Sequence, residues 1–387
     1  MALAQVVGLA ILIFAEVPEL RTIRRLVYGE VLGAVALVAI GFLSLFAFFD
    51  LVDEIGSIGR YSDTGYGLAP ALTFVALMVP SHLYELLPIA VLIGTIFVMA
   101  RFAQSSEFTI LRTSGLSPWR ALKTLLVLGF GFVLLTFAIG DYISPMADRT
   151  GQLLKARYQG SITVGQTGAW LKEKQPQAHY AINVGALESN GSMRGVRIFE
   201  FDEQGFVLST MLAGSATIGR DDVWHLASVD RTIFPARQAV QAQVDRVHLD
   251  SYEWASKVSS EMVSAALLKP ERMSTIDLFQ YIQHLQANAQ TAQRYEIEFW
   301  RKVFYPLSCL VMVVLALPFA YLHFRAAGIA TYVFGGVMAG ISFFLLNNVF
   351  GYIGNLQSWQ PWLTAAMPGL IYTVLSLSAL GWLVWKR

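Results

Sequence analysis

Apolar runs long enough to cross a bilayer limit what this chain can fold into more than any other feature of its sequence. Residues 31–49, 71–100, 124–140, 303–324, 328–350 and 362–385 contain no Asp, Glu, Lys or Arg apart from Glu85. A spanning helix needs about 20 such residues, and in lipid only a helix or a closed barrel satisfies its own backbone. These windows predict six transmembrane helices. Composition agrees: 55% of residues are hydrophobic and 14% charged, against about 25% charged in soluble domains.

Charge in the short connections orients the spans. Arg21, Arg24 and Arg25 precede the first span, and Arg101, Arg112, Arg120 and Lys123 separate the second from the third. Arg325 sits between the fourth and fifth, and Lys386-Arg387 follow the sixth. The alternate connections hold Asp50, Asp53, Glu54 and Asp63 against Arg60, or, at 351–361, no charge. By the positive-inside rule both termini face the cytoplasm.

The stretch 145–300 then lies on the far side and is long enough for a domain of its own. Strand-like alternation recurs at His179–Leu187, Gly195–Phe201, Gly205–Met211, Val223–Thr232 and Val240–Trp254, with turn signals at Asn190-Gly191 and Gly219–Asp222. The expected fold class is an α-helical membrane protein with an inserted antiparallel β domain, sandwich or jelly-roll-like. Near Pro270 the pattern turns helical. Ser274 and Asp277 make an acidic capping box, and Leu278, Phe279, Ile282 and Leu285 form an apolar stripe. A further helix at 291–302 feeds the fourth span. Residues 1–20 lack the basic start and cleavage site of a signal peptide and read as an interfacial or loosely ordered extension of unassigned role. The division is thus 1–20, 21–144 with three spans, 145–300, and 301–387 with three more.

Several function classes drop out. A net charge of +1 gives no basic field for nucleic acid. Cys309 is the one cysteine, so no intramolecular disulfide forms. No pair among His82, His179, His225, His248, His284 and His323 has metal-site spacing. The phosphate loop G-x-x-x-x-G-K-[ST], the G-x-S-x-G elbow and HExxH are all missing from the sequence. The chain is expected to be no enzyme by itself and to hold no cofactor. Work driven by ATP would use ATP and Mg bound by another chain.

Local features each carry two readings. The connection 101–121 is a charged loop, or an amphipathic helix that docks into a cytoplasmic partner with Glu107 meeting a basic residue there. Arg149, Lys155 and Arg157 are ordinary surface charge, or with Arg60 they recognise anionic phosphates. Glu85 with His82, and Asn347 with Asn348, serve packing or face a cavity. Gly336 and Gly340 form a small-xxx-small pattern for close helix contact.

Two stretches, LMVPSHLYELLPIAVLIGTIFVMARFAQSSEFTILRTSGLSPWRA and RYEIEFWRKVFYPLSCLVMVVLALPFAY, resemble the LptF/LptG permeases. The second stretch and the SE-x4-R-x-SG-x-S pattern look closer to the LptG branch than to LptF. The likeness covers nearly the whole chain from about Arg21 and is weakest in the β domain. It implies a heterodimer with an LptF-type subunit on two LptB-type ATPases in a Gram-negative inner membrane. LptC would add a jelly roll and a helix, and an LptA-type bridge would follow indirectly. Lipopolysaccharide would enter through lateral gates between the first span of one subunit and the fifth of the other, then leave through periplasmic jelly rolls. The likeness makes 101–121 the coupling helix, with Glu107, Phe108, Leu111, Arg112 and Gly115 facing the ATPase. It makes Lys155 a phosphate contact, beside Arg60, Arg149 and Arg157. Phe46, Phe48, Phe49, Asp50, Gly336, Gly340 and Asn347 are the expected cavity and gate positions. Relatives often carry lysines at the outer end of the first span, where this chain has Asp50, Gly56 and Ser57. Removing each lipid methylene from an apolar medium costs about 0.8 kcal/mol, so extraction needs an external energy source.

Overall fold

The computed structural model of the chain describes residues 21–105, 107, 118–159, 168–176, 178–188, 191–219, 223–235, 243–259, 262–263, 270–321 and 328–385. Among the described residues, six helices are long and apolar enough to cross a membrane. Helix α1 is Arg21–Arg60 and α2 is Leu68–Gln104. The third span joins α3 (Pro118–Ala138), a π-turn (Ile139–Ile143) and α4 (Ser144–Gln159) into one rod. After the sheet come α5 (Thr275–Ala287) and α6 (Gln293–Phe304). A 3-10 turn at Tyr305–Leu307 then leads into α7 (Ser308–Ala316). Helices α8 (Ile329–Leu356) and α9 (Pro361–Trp385) complete the bundle.

The helices outrun the apolar windows. Helix α1 has 40 residues, about 60 Å at 1.5 Å each, where the hydrocarbon core is about 30 Å thick. Its polar end stays helical because it has partners. Glu54 is buried and accepts from Tyr66 Oη at 2.7 Å and from Lys155 Nζ at 3.0 Å. The third span likewise continues to Gln159, so the boundary expected at 145 falls inside a continuous rod.

Helix α2 is the buried centre, and its neighbours approach it through missing side chains. A Cβ on Gly94 would lie 2.7 Å from the Val35 backbone nitrogen on α1. Gly336 and Gly340 on α8 rest against Ile96 and Ile89 of α2. Of the two readings of that pair, the structure favours close helix packing. Helices α1 and α8 turn their other faces outward, with Leu37, Ile40, Phe48 and Phe49 exposed on one and Phe334, Leu345 and Val349 on the other.

The sheet is antiparallel throughout, its six strands neighbouring one another in sequence order. They are β1 (Ala169–Lys174), β2 (His179–Leu187), β3 (Met193–Phe201), β4 (Val207–Ile218), β5 (Val223–Ile233) and β6 (Asp245–Ala255). Sequence alternation found all but β1, a short strand in which Lys172 and Lys174 are exposed and Glu173 is buried between them. The strand expected from Val240 begins at Asp245. Leu171, Ile182, Ile198 and Met211 form one row across the buried face. Trp224 faces Trp254 and donates to Val258 O at 2.9 Å.

Helix α5 closes this core. Its capping box is formed: Ser274 Oγ accepts from Asp277 N at 3.1 Å and Asp277 Oδ2 from Ser274 N at 3.3 Å. Leu278, Tyr281, Ile282 and Leu285 are buried against the strands. Phe279, expected on that stripe, is half exposed. Tyr281 takes the place, since positions 278, 281, 282 and 285 share one helical face.

Candidate functional site

A cavity of about 420 Å³ opens where the bundle meets the sheet domain. Six elements build it, one of them the turn at Tyr305–Leu307, which supplies Tyr305. Helix α2 supplies Ser81, His82 and Glu85, and α4 supplies Asp148. A 3-10 turn at Pro270–Arg272 supplies Glu271 and Arg272. Helix α6 supplies Arg294, Glu298, Arg301 and Lys302, and α8 supplies Phe344, Asn347 and Asn348. Charge of both signs is thereby concentrated at the head of an apolar bundle.

Most of these charges are paired. Arg301 donates to Glu298 at 2.7 Å and to Asn348 Oδ1 at 3.1 Å. Arg294 donates to Glu271 at 2.8 Å. Outside the spans, burial opposes the charged form of Glu271, but the Arg294 guanidinium outweighs it and holds the carboxyl below its usual range. Ser81 Oγ donates to Asp148 at 2.9 Å. His82 Nε2 meets Asp50 Oδ2 of α1 at 2.7 Å, with the Phe46 ring against its imidazole at 5.0 Å between centroids. Arg272 and Lys302 are the cavity cations without an ion pair among the described residues; Lys302 donates to the Gly140 carbonyl, which leaves the Arg272 guanidinium for an anionic group.

The structure brings some of the expected site residues here and not others. Asn347 lines the cavity, as do His82 and Glu85, while Asp50 and Phe46 reach it through His82. Phe49 faces outward beside Phe48, and Gly336 and Gly340 are taken up in packing. The expected phosphate rim is elsewhere. Arg60 ends α1, and Arg149 and Arg157 are exposed on α4. Lys155 is held by Glu54 and lies 4.6 Å over the Phe74 ring, so its charge is already neutralised. Glu107 is helical and exposed, whereas Phe108, Leu111, Arg112 and Gly115 lie outside the described residues. Sequence reasoning missed Arg272, Arg294, Arg301 and Lys302. The available signal was the concentration of basic residues on an amphipathic helix that runs straight into a span.

A polytopic bundle split by an antiparallel sheet domain, with a charged cavity at the junction, defines a membrane permease with an extramembrane β module. Residues 25–386 match the family described as Lipopolysaccharide export system permease LptF/LptG, and the chain belongs to that family. It is 25% identical over 348 residues to the Lipopolysaccharide export system permease protein LptG of Escherichia coli K12, covering 89% of this chain and 92% of that protein. It is 24% identical over 359 residues to the protein of the same description from Haemophilus influenzae, covering 92% and 97%.

Proposed function

We propose that the chain is the LptG-type permease subunit of an ATP-driven lipopolysaccharide exporter in the bacterial inner membrane. Both termini are cytoplasmic and the sheet domain is periplasmic. An LptF-type subunit, two LptB-type ATPases and LptC complete the complex, and ATP and Mg bind the ATPases. Lipopolysaccharide leaves the outer leaflet, enters the space between the two permeases and passes along the sheet domains toward an LptA-type bridge.

The observation that carries this reading is the charged cavity at the junction of the bundle with the sheet domain, in a chain whose first and fifth spans leave long apolar faces exposed. Lipopolysaccharide has phosphates close to its acyl chains. A cation such as Arg272 suits the first and the exposed Phe48, Phe49, Phe334 and Leu345 suit the second. Apolar faces left open on two spans also fit a dimer partner in the membrane.

Co-expression with the LptF-type and LptB-type chains, purification in mild detergent and mass spectrometry of bound lipid test this reading. A co-eluting complex carrying lipopolysaccharide is expected. A chain that elutes alone and lipid-free while its partners remain intact would overturn it.

A further inference from the structure

The third span breaks its α-helical ladder at the π-turn Ile139–Ile143, and the cause is in the sequence. Ser144 N donates to Ile139 O instead of Gly140 O, and Pro145 has no N–H to give. The Gly140 carbonyl is therefore left without a donor from its own helix. Lys302 of α6 fills the gap, its buried Nζ donating to Gly140 O at 2.9 Å. Position 140 must be glycine for this, because the Tyr84 ring occupies the space a Cβ would need.

The next residue reaches the other way. Asp141, also buried, accepts at Oδ1 from Thr275 N at 2.7 Å. Thr275 opens α5, and α5 lies in the core of the sheet domain. The first-turn amides of a helix lack partners inside it and carry partial positive charge, so a carboxylate there is a strong cap. The adjacent Ser274–Asp277 box caps other donors of the same turn. Asp141 thus holds a helix of the sheet domain from within the third span, while Lys302 binds the same turn to the fourth.

We propose that the π-turn is a mechanical joint, with Asp141 and Lys302 as positioning residues that convert movement of the third and fourth spans into movement of the sheet domain. The sheet is also attached covalently, through α4 and α6. Helix α5 also packs on α6, through Tyr281 against Tyr295 and Gln286 donating to Glu296 at 2.7 Å, and the Asp141 cap adds the tie to the third span. The inference deepens the exporter reading and rests on it, since that reading supplies the movement.

The test is hydrogen–deuterium exchange on the purified complex, nucleotide-free and trapped with ATP and vanadate. In the wild-type complex, trapping changes exchange in both bundle and sheet. In Asp141→Ala the bundle still responds and the sheet no longer does, and Asp141→Asn, which keeps the acceptor oxygen, retains the sheet response. A sheet response in Asp141→Ala equal to wild type overturns the joint. If Asp141→Ala does not fold, Lys302→Met reads the same loss from the fourth span, and an unchanged response there overturns the joint equally. A wild-type complex silent to nucleotide everywhere counts against the exporter reading instead. The joint is then judged on the chain alone, where Thr275 amide exchange should rise about tenfold in Asp141→Ala on loss of a charge-assisted bond; equal exchange overturns it.

Discussion

Lys155 Nζ stands 3.0 Å from Glu54 Oε2, tying the rod that continues the third span to the end of the first. The Glu54 side chain is 5% exposed and also accepts from Tyr66. Tyr66 lies between spans, and its phenol is raised above its ordinary value by burial and by that carboxylate. Lys155→Ala leaves a buried carboxylate without its cation. It is expected to destabilise the chain by about 1–3 kcal/mol, seen as an earlier melting transition in detergent. The swap Glu54→Lys with Lys155→Glu should recover part of the loss. A Lys155→Ala chain that melts like wild type yet loses its response to lipopolysaccharide would restore the phosphate role implied by family resemblance.

Arg272 is placed to do what Lys155 is not. Arg272→Gln should lower lipopolysaccharide recovered per complex about tenfold, the loss of one charge-assisted contact. Arg149→Gln and Arg157→Gln, on the exposed side of α4, should change it little. Quantitative mass spectrometry of co-purified lipid separates the two outcomes. Equal losses at Arg149 and Arg157 would move the site to the α4 surface.

Three glycines rank by what their absent side chains would strike. Gly94→Ala meets Val35 backbone nitrogen at 2.7 Å, Gly340→Ala meets Ile89 Cγ2 at 2.8 Å and Gly336→Ala meets Ile96 Cδ1 at 2.7 Å. Backbone cannot yield, a branched Cγ2 yields poorly, and a terminal Cδ1 can rotate away. Overpacking in helix interiors costs about 1–3 kcal/mol. Melting temperatures should therefore fall most for Gly94→Ala and least for Gly336→Ala. The reverse order would mean that α8 is held to α2 more rigidly than α1 is.

The sheet domain should weaken in mild acid. Burial holds His284 below the ordinary imidazole value, with Glu173 acting weakly in the opposite direction. The unfolded chain then binds a proton that the folded one does not. Stability from this group is full above about pH 6.5 and declines as pH falls through the window between that value and the lower folded one. Urea midpoints followed by the buried Trp224 and Trp254 should drop from pH 7.5 to 5.5, and His284→Gln should flatten the slope. An equal slope in that variant would assign the acid sensitivity elsewhere. His248 is the opposite case, raised by the hydrogen bond it donates to Asp230, but its full exposure leaves it little influence on stability.

What the sequence revealed follows from how local each signal is. A span is a contiguous property, so charge-free windows located every helix core, and the capping box at Ser274 was legible for the same reason. The ends were not, because Glu54, Lys155 and Tyr66 extend α1 through contacts made across the fold. Strand β1 was lost because half of six residues are charged. The cavity was half legible, since His82, Glu85, Asn347 and Asn348 are polar groups inside spans, but its cations were missed for the opposite reason. Its cations sit on α6 and on the turn before α5, and their counter-charges come from α2, α4 and their own neighbours. No single window of sequence contains the whole set. The π-turn was partly legible, since a glycine five residues before a proline leaves a carbonyl without its π donor, but only the fold shows Lys302 arriving there.

Glu107 remains the test of the opposite end of the bundle. It follows the end of α2 at Gln104, is exposed and sits between basic neighbours in sequence, Arg101 before it and Arg112 after it. Arg101 is engaged by Glu30 of α1 at 2.9 Å, so it does not compensate Glu107. An exposed carboxylate is cheap to remove from the isolated chain, and Glu107→Ala should melt like wild type. Its effect should appear only with the ATPase present, as loss of co-purification, with Glu107→Gln intermediate because it keeps an acceptor without charge. Normal recovery of the ATPase with Glu107→Ala would place the docking contact elsewhere on the chain. Loss of the ATPase together with a lower melting temperature would instead show that Glu107 acts through the fold.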